Sequence, residues 1–303
     1  MENIDLSIIV ASYGTADYLE KCLTSIYKNT KNISYEVIVV DDCSPDHSPQ
    51  MVREKFPQAK LIENEKNLRY TETNNKGLDA CQGRFGLLLN SDVEVHEGAF
   101  EKLVTFMDQN KDVAAAGPKL INPDGSVQHC IRSFPGLMVM VLQTLNFHKI
   151  FPGNRFTDKY YNTDFDYNLT QPIDSIGTTA FIIRRSIWEN IGKLDPKFTH
   201  HFVDLSYCLM LKQKSEKVFY VHDAVVTHYG SISINMNGKK EISRVHDALR
   251  LFYDEYYADN HSFIYNFIVR QGIKLRAFVK LIEFKLSKNG EVLGGVGISG
   301  KKS

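Results

Sequence analysis

Over the first hundred residues two hydrophobic periods alternate, and that alternation constrains the fold more than any other feature of the chain. Leu6 to Ala11 (LSIIVA) is a continuous apolar run rich in β-branched residues, as expected of a strand covered on both faces. Between Tyr18 and Ile26 the apolar residues Leu19, Leu23 and Ile26 recur at helical spacing instead. The pattern then repeats, with strands expected at Glu36–Val40, Lys60–Glu63 and Phe85–Leu89 and helices at Gln50–Phe56 and Asn74–Ala80. Strands and helices alternating through short connections force a parallel sheet with right-handed crossovers. In such sheets ligands sit beyond the carboxyl ends of the strands.

Polar clusters fall at those ends: Ser12-Tyr13-Gly14, then Asp41-Asp42-Cys43-Ser44, then Asn90-Ser91-Asp92. Any one of them is ordinary turn chemistry. Three at successive strand ends favour one crevice carrying several carboxylates. A dinucleotide-binding dehydrogenase is excluded at the first turn, where Ala11-Ser12-Tyr13-Gly14-Thr15 has no G-x-G-x-x-G.

The remainder is less regular. Strands are expected at Ala114–Pro118, Ile173–Ile183 and Val218–Val221, and helices at Ser186–Ile191 and Tyr207–Lys214. Asn122-Pro123-Asp124-Gly125 is a strong turn signal, and Pro152–Pro172 reads as a loop over the site. From Phe267 to Lys288 the pattern is helical. Ile268, Leu275, Val279, Ile282 and Leu286 form one stripe, beside Arg270, Lys274, Arg276, Lys280, Lys285 and Lys288, with Glu283 the one acid. Such a helix either lies in the interface of an anionic membrane or packs its stripe on the domain and leaves a basic face in water. The expected organisation is a domain over 1–238, a helical, membrane-associating segment over 239–290 and a disordered tail over 291–303.

Composition removes several classes. Lys and Arg number 36 against 36 Asp and Glu, so the formal charge is zero and nucleic acid is not an expected partner. The five cysteines, at 22, 43, 81, 130 and 208, form no C-x-x-C pair and outline neither a disulfide frame nor a zinc knuckle. MENIDLSIIV lacks the basic and apolar regions of a signal peptide, so export is not expected and the Asn-x-Ser/Thr triplets at Asn32, Asn168 and Asn260 read as chance matches. No stretch reaches the roughly 18 to 20 apolar residues of a bilayer span, Leu137 to Leu142 being the longest local run. A cytoplasmic location is expected, with peripheral membrane contact through the basic helix.

Four segments in order, SIIVASYGTADYLEKCLTSI, EVIVVDDCSPD, NLRYTETNNKGLDACQGRFGLLLNSDVEV and GTTAFIIRRSIWENIGKLDPKF, resemble the family-two glycosyltransferases. The likeness covers roughly residues 5 to 235. The phrases LLLNSDVEV and INPDGSVQ are most similar to the branch of bacterial rhamnosyltransferases and galactofuranosyltransferases of cell-surface polysaccharides. The resemblance implies a GT-A fold: an α/β, Rossmann-like, mixed but mainly parallel sheet flanked by helices, here with a C-terminal helical extension. It also implies a dTDP- or UDP-sugar donor, a glycan or lipid-linked acceptor, a Mn2+ or Mg2+ cofactor and a place at the inner face of the bacterial plasma membrane.

Residue by residue, the resemblance places Ala11 and Tyr13 near the nucleotide base, and Asp41 and Asp42 as its receiving carboxylates. Arg69 falls where some members hold the diphosphate and others carry glycine. Asn90-Ser91-Asp92 occupies the D-x-D position with its first acid replaced, leaving Asp92 as metal ligand, Glu94 as a weaker one and His228 as a partner at the metal or diphosphate. The family's F-x-x-x-x-E-D-x-D segment is here Phe198 to Ser206, where Asp204 remains while Val203 and Ser206 replace acids. Asp204 is the implied general base, and losing two neighbouring negative charges lowers its pKa relative to the family. Two alternatives stand: Asp204 as a helix cap with His200 or His201 as base, and a catalytically weakened sugar-nucleotide-binding or assembly subunit.

Overall fold

The apolar runs of the first hundred residues form the expected strands, three of them buried on both faces and the short edge run at Lys60–Glu63 part-exposed. In the computed structural model, which describes residues 4–134, 155–230 and 238–286, these are β1 (Leu6–Ser12), β2 (Tyr35–Asp41), β3 (Lys60–Glu63) and β4 (Phe85–Asn90). Ile8, Ile9 and Val10 of β1, Ile38 to Val40 of β2 and Leu87 and Leu88 of β4 are inaccessible to solvent. The four strands pair in parallel in the order β3-β2-β1-β4. The crossover helices are α1 (Ala16–Asn29), α2 (Ser48–Lys55) and α3 (Arg69–Ala80). α1 buries Leu19, Cys22, Leu23 and Ile26, the stripe visible in its sequence. α3 lies so close on β1 that a Cβ on Gly77 would come within 2.2 Å of Ile9 Cγ2.

The second half of the sheet is mixed. After β5 (Val93–Val95) and α4 (Ala99–Gln109) come β6 (Val113–Ile121), then β7 (Gln171–Ile173) and β8 (Ala180–Arg184). α6 (Arg185–Asn190), α7 (Val203–Gln213) and β9 (Lys217–His228) follow, with α5 (Arg155–Tyr161) preceding β7 in the chain. β8 runs antiparallel between β4 and β6, β9 runs parallel to β6, and β5 and β7 pair antiparallel with β9. The result is a nine-stranded, mostly parallel sheet.

Several expected boundaries move. The single strand read over Ile173–Ile183 is two strands with different partners, β7 on β9 and β8 between β4 and β6, because Gly177-Thr178-Thr179 turns the chain between them. The stretch read as a loop before Pro172 contains α5. β9 runs seven residues past Val221 to His228, which carries that histidine back to the carboxyl edge of the sheet. α7 starts at Val203 rather than Tyr207, with Phe202 as its N-cap residue, so Asp204 lies inside the first turn and is not the cap.

Two units are distinguishable: Met1–Gln128 with Asp166–Gly230, which holds the whole sheet, and His129–Phe165 with Ser231–Ser303. The second unit contains the helices α8 (Gly238–Tyr256) and α9 (Phe263–Leu286). α9 is oriented opposite to the packed-stripe alternative. Arg276 and Lys280 are buried at 8% and 4% exposure, while Ile268, Leu275, Val279 and Ile282 are exposed. Burial disfavours the charged form of Arg276, and Lys280 donates to Glu283 Oε2 at 2.7 Å. The side chain of Leu286, Lys288 and the tail over 291–303 lie outside the described residues, as does Leu137–Leu142. Among the described residues no helix is long and apolar enough to cross a membrane.

Candidate active site

Strand register places the candidate residues in one row. Ser12 of β1 is level with Asp41 of β2, and Ala11 is level with Val40 on one side and Asn90 of β4 on the other. Since the three strands are parallel, their polar clusters open at the same edge. Hydroxyls and amides tie the loops together: Thr15 Oγ1 lies 3.2 Å from Ser12 Oγ and 2.8 Å from Ser91 Oγ, and Gly14 N–H donates to Ser44 Oγ at 2.9 Å. Beside this row Tyr13 is 48% exposed, an aromatic ring open to solvent at the mouth of the site.

The adjacent acids do different work. Asp42 spends both oxygens within the chain, Oδ1 accepting from Leu68 N–H at 2.7 Å and Asn64 Nδ2 at 3.0 Å, and Oδ2 from Arg69 N–H at 2.9 Å. It clamps the chain at the head of α3. Asp41 accepts from Ser44 N–H through Oδ2 at 2.9 Å, while its Oδ1 is buried with no hydrogen-bond partner. Leaving a buried carboxylate oxygen unpaired is costly, so a donor arriving there gains more than one arriving at a saturated group.

The clamp also explains the backbone at Arg69, whose φ of 70° lies in the left-handed region that favours glycine. Its guanidinium is exposed and makes no hydrogen bond or ion pair among the described residues. Cys43 (φ 63°) and Phe202 (φ 62°) share that conformation, so three of the five non-glycine residues with positive φ among those described border this edge of the sheet. Such strain persists where surrounding structure enforces it, and it clusters at functional sites.

Asp92 follows β4 directly, and the pairing of β5 with β9 sets Val93 opposite His228. His228 Nε2 thereby comes within 3.4 Å of Asp92 Oδ1, and Tyr229 N–H donates to the Asp92 carbonyl at 3.0 Å. The other ring nitrogen is fixed by Gln128. That amide donates through Nε2 to Asn122 Oδ1 and to the His228 carbonyl, both at 2.8 Å, which leaves its Oε1 to accept from His228 Nδ1 at 3.0 Å. With Nδ1 taken up by Gln128, Nε2 is the nitrogen that faces the carboxylate oxygen, and a nitrogen–oxygen pair of this kind fits a divalent cation. Glu94 is used differently, accepting from the Tyr229 hydroxyl, which makes that phenol harder to ionise. Asn90 is part-buried, with its Oδ1 unpaired in the interior.

Asp204 and Asp92 are brought together around Tyr70. The Tyr70 hydroxyl donates to the Thr178 carbonyl at 2.8 Å, and its ionisation is disfavoured first by burial and further by the negative charges of Asp204 and Asp92. Asp204 stands in the first turn of α7, where the helix N-terminus favours a carboxylate. The first turn of α3 reaches the same segment, Thr71 donating from its hydroxyl to Phe198 O and from its N–H to Thr199 O. Val203 and Ser206 are both buried, and Ser206 Oγ donates back to the Val203 carbonyl at 3.0 Å. The His200 ring packs edge-on 6.1 Å from Tyr70 and 5.0 Å from His201. Sequence reasoning missed Tyr70, which no motif marks, and Gln128, although the phrase INPDGSVQ contains it.

The sequence model of glycosyl transferase family 2 matches residues 7–192. The chain is 23% identical over 268 residues to the N-acetylglucosaminyl-diphospho-decaprenol L-rhamnosyltransferase of Mycobacterium tuberculosis, a match covering 85% of each protein. Among solved structures it is similar to GalNAc-T7 with UDP, GalNAc and Mn2+, at a TM-score of 0.62 and 14% identity over 96% of this chain and 59% of that one. It is likewise similar to S. aureus TarS 1–349 in complex with UDP-GlcNAc, at a TM-score of 0.56 and 16% identity over 94% and 76%. These likenesses establish the GT-A fold. Strand order and a sequence match over more than half of its length together show that this chain belongs to glycosyl transferase family 2, a glycosyltransferase built on a mostly parallel sheet.

Proposed function

We propose that this glycosyltransferase moves a sugar from a nucleoside-diphosphate donor to a hydroxyl of a glycan or lipid-linked acceptor with inversion at the anomeric carbon. The observation that carries the reading is the convergence on Tyr70, where the negative charges of Asp204 and of Asp92, the latter 3.4 Å from His228 Nε2, both reach one buried hydroxyl. Asp41 Oδ1 accepts the imide N–H of a uracil or thymine base, with Ala11 and Tyr13 beside it, while Asp42 holds the loop that presents Arg69 to the diphosphate. Asn90 and Ser91 line the same edge. Asp92 and His228 hold Mn2+ or Mg2+. When bound, the cation offsets negative charge growing on the departing diphosphate.

Asp204 takes the proton of the acceptor hydroxyl as that oxygen bonds to the anomeric carbon and the bond from that carbon to the diphosphate oxygen breaks. A base on one face and charge stabilisation on the other is what a single in-line displacement requires. A dTDP-rhamnose donor and a lipid-diphosphate saccharide acceptor are favoured by the rhamnosyltransferase likeness. Work at the inner face of the plasma membrane follows from such an acceptor.

The test is release of nucleoside diphosphate from a panel of UDP-, dTDP- and GDP-sugars, with and without a lipid-diphosphate saccharide and with Mn2+, Mg2+ or chelator. Acceptor-dependent release from a single donor class supports the reading. Donor binding without turnover supports instead the catalytically weakened subunit, which Val203, Ser206 and Asn90 in place of acids favour.

Two substitutions probe the supporting residues. Gln128→Leu frees His228 Nδ1 and should weaken Mn2+ binding, measured by electron paramagnetic resonance, by about 10- to 100-fold. Arg69→Gly removes a left-handed non-glycine residue and should raise unfolding stability by about 1 kcal/mol. The same change should raise the donor KM, so that stability and donor affinity move in opposite directions. A lower melting temperature together with an unchanged KM would contradict both roles given to Arg69.

A further inference from the structure

α9 presents a wide apolar face to solvent. Phe263, Ile264, Phe267, Ile268, Leu275, Phe278, Val279 and Ile282 are all exposed, from 38% at Val279 to 80% at Phe263. At about 100° per residue these eight fall within one sector of roughly 160°. On the opposite side of the helix Val269, Ile273, Arg276 and Lys280 are buried. Soluble surfaces seldom leave so continuous an apolar stripe uncovered unless something docks there.

The charges inside the stripe say what docks. Lys274 and Lys285 are exposed and fall within the same sector, which holds no Asp or Glu. The single acid of the helix, Glu283, lies outside it in an ion pair with Lys280 at 2.7 Å. Phenylalanines and branched aliphatics flanked by lysines, with no acid, match a helix lying in the plane of an anionic bilayer with its apolar face among the acyl chains. A second copy of this chain would set lysines against lysines with no carboxylate to receive them, and no described helix is long and apolar enough to span the bilayer.

We infer that α9 is an interfacial membrane anchor that seats its Phe267–Phe278 face in the headgroup region of an anionic lipid surface. This docking needs neither donor nor acceptor, so it stands or falls apart from the glycosyl-transfer reading.

The test is co-sedimentation of the full chain with vesicles of phosphatidylcholine alone or mixed with phosphatidylglycerol. The wild-type chain should bind the mixed vesicles more tightly and lose part of that binding at high salt. Phe267→Glu combined with Phe278→Glu alters only exposed positions and should weaken binding by about 100-fold with an unchanged melting temperature. Lys274→Glu with Lys285→Glu should remove the preference for anionic lipid, by about fivefold per lysine. Failure of the wild-type chain to bind, or equal binding by the phenylalanine variant, would overturn the proposal. So would a dimer in light scattering without lipid that dissociates in that variant, since the face would then belong to a second copy.

Discussion

Replacing Asp204 with Asn should cut sugar transfer steeply and spare donor binding. Asn keeps the size and hydrogen-bonding reach of the side chain but cannot accept the proton of an attacking hydroxyl. General bases contribute about 100- to 10,000-fold, so kcat should fall by about 1,000-fold, equivalent to about 4 kcal/mol of barrier. Donor affinity should stay within about twofold, because the base acts on the acceptor and its loss appears in kcat. The check is initial-rate kinetics beside a donor titration on the same preparation. Full activity in this variant would pass the base role to another group, with His200, whose ring packs on Tyr70, and His201, whose ring packs on His200, to be tried next.

Asp92→Asn should give the second large loss, of a different kind. The carboxylate is the acidic member of the pair, with His228 Nε2 3.4 Å away. Removing that charge should weaken Mn2+ binding and lower kcat/KM for the donor by about 1,000-fold, since charge stabilisation of a leaving group supplies several kcal/mol. Metal titrations followed by electron paramagnetic resonance separate this from a general loss of fold. Unlike the Asp204 variant, this one loses donor affinity as well as rate. If the two variants lost the same parameter, the division of labour proposed between Asp204 and Asp92 would be wrong.

The parallel half of the fold was legible because its signal is local. β1, β2 and β4 are apolar runs buried on both faces, and the crossover helices between them show a one-sided stripe. What failed were elements whose identity depends on distant partners. β7 and β8 read as one strand since nothing local shows that Gln171–Ile173 pairs with β9 while Ala180–Arg184 inserts between β4 and β6. Similarly, β9 was cut short at Val221, whereas pairing with β5 sustains it to His228.

The candidate site shows the same division. Asp41, Asp42, Asp92 and His228 were marked as candidates by the family resemblance, but only the coordinates separate Asp41, with a buried unpaired oxygen, from Asp42, whose carboxylate is saturated by Asn64, Leu68 and Arg69. Gln128 is invisible to motif logic since it acts through a ring nitrogen a hundred residues away. In α9 the sequence periodicity correctly identified a stripe, but periodicity carries no sign for which side faces inward. Burial of Arg276 and Lys280 supplies that sign.

The central claim, that one edge of the sheet holds a nucleotide at Asp41 and a cation at Asp92 and His228, is tested most directly by a crystal structure of the chain with Mn2+ and a nucleoside diphosphate, using the anomalous signal of manganese. One strong anomalous peak is expected, bonded to Asp92 Oδ1 and His228 Nε2 at about the 2.0–2.2 Å typical of small divalent cations, with the base imide hydrogen-bonded to Asp41 Oδ1. A bound diphosphate with no peak at that pair, or a peak held by Asp41 and Asp42 instead, would contradict it.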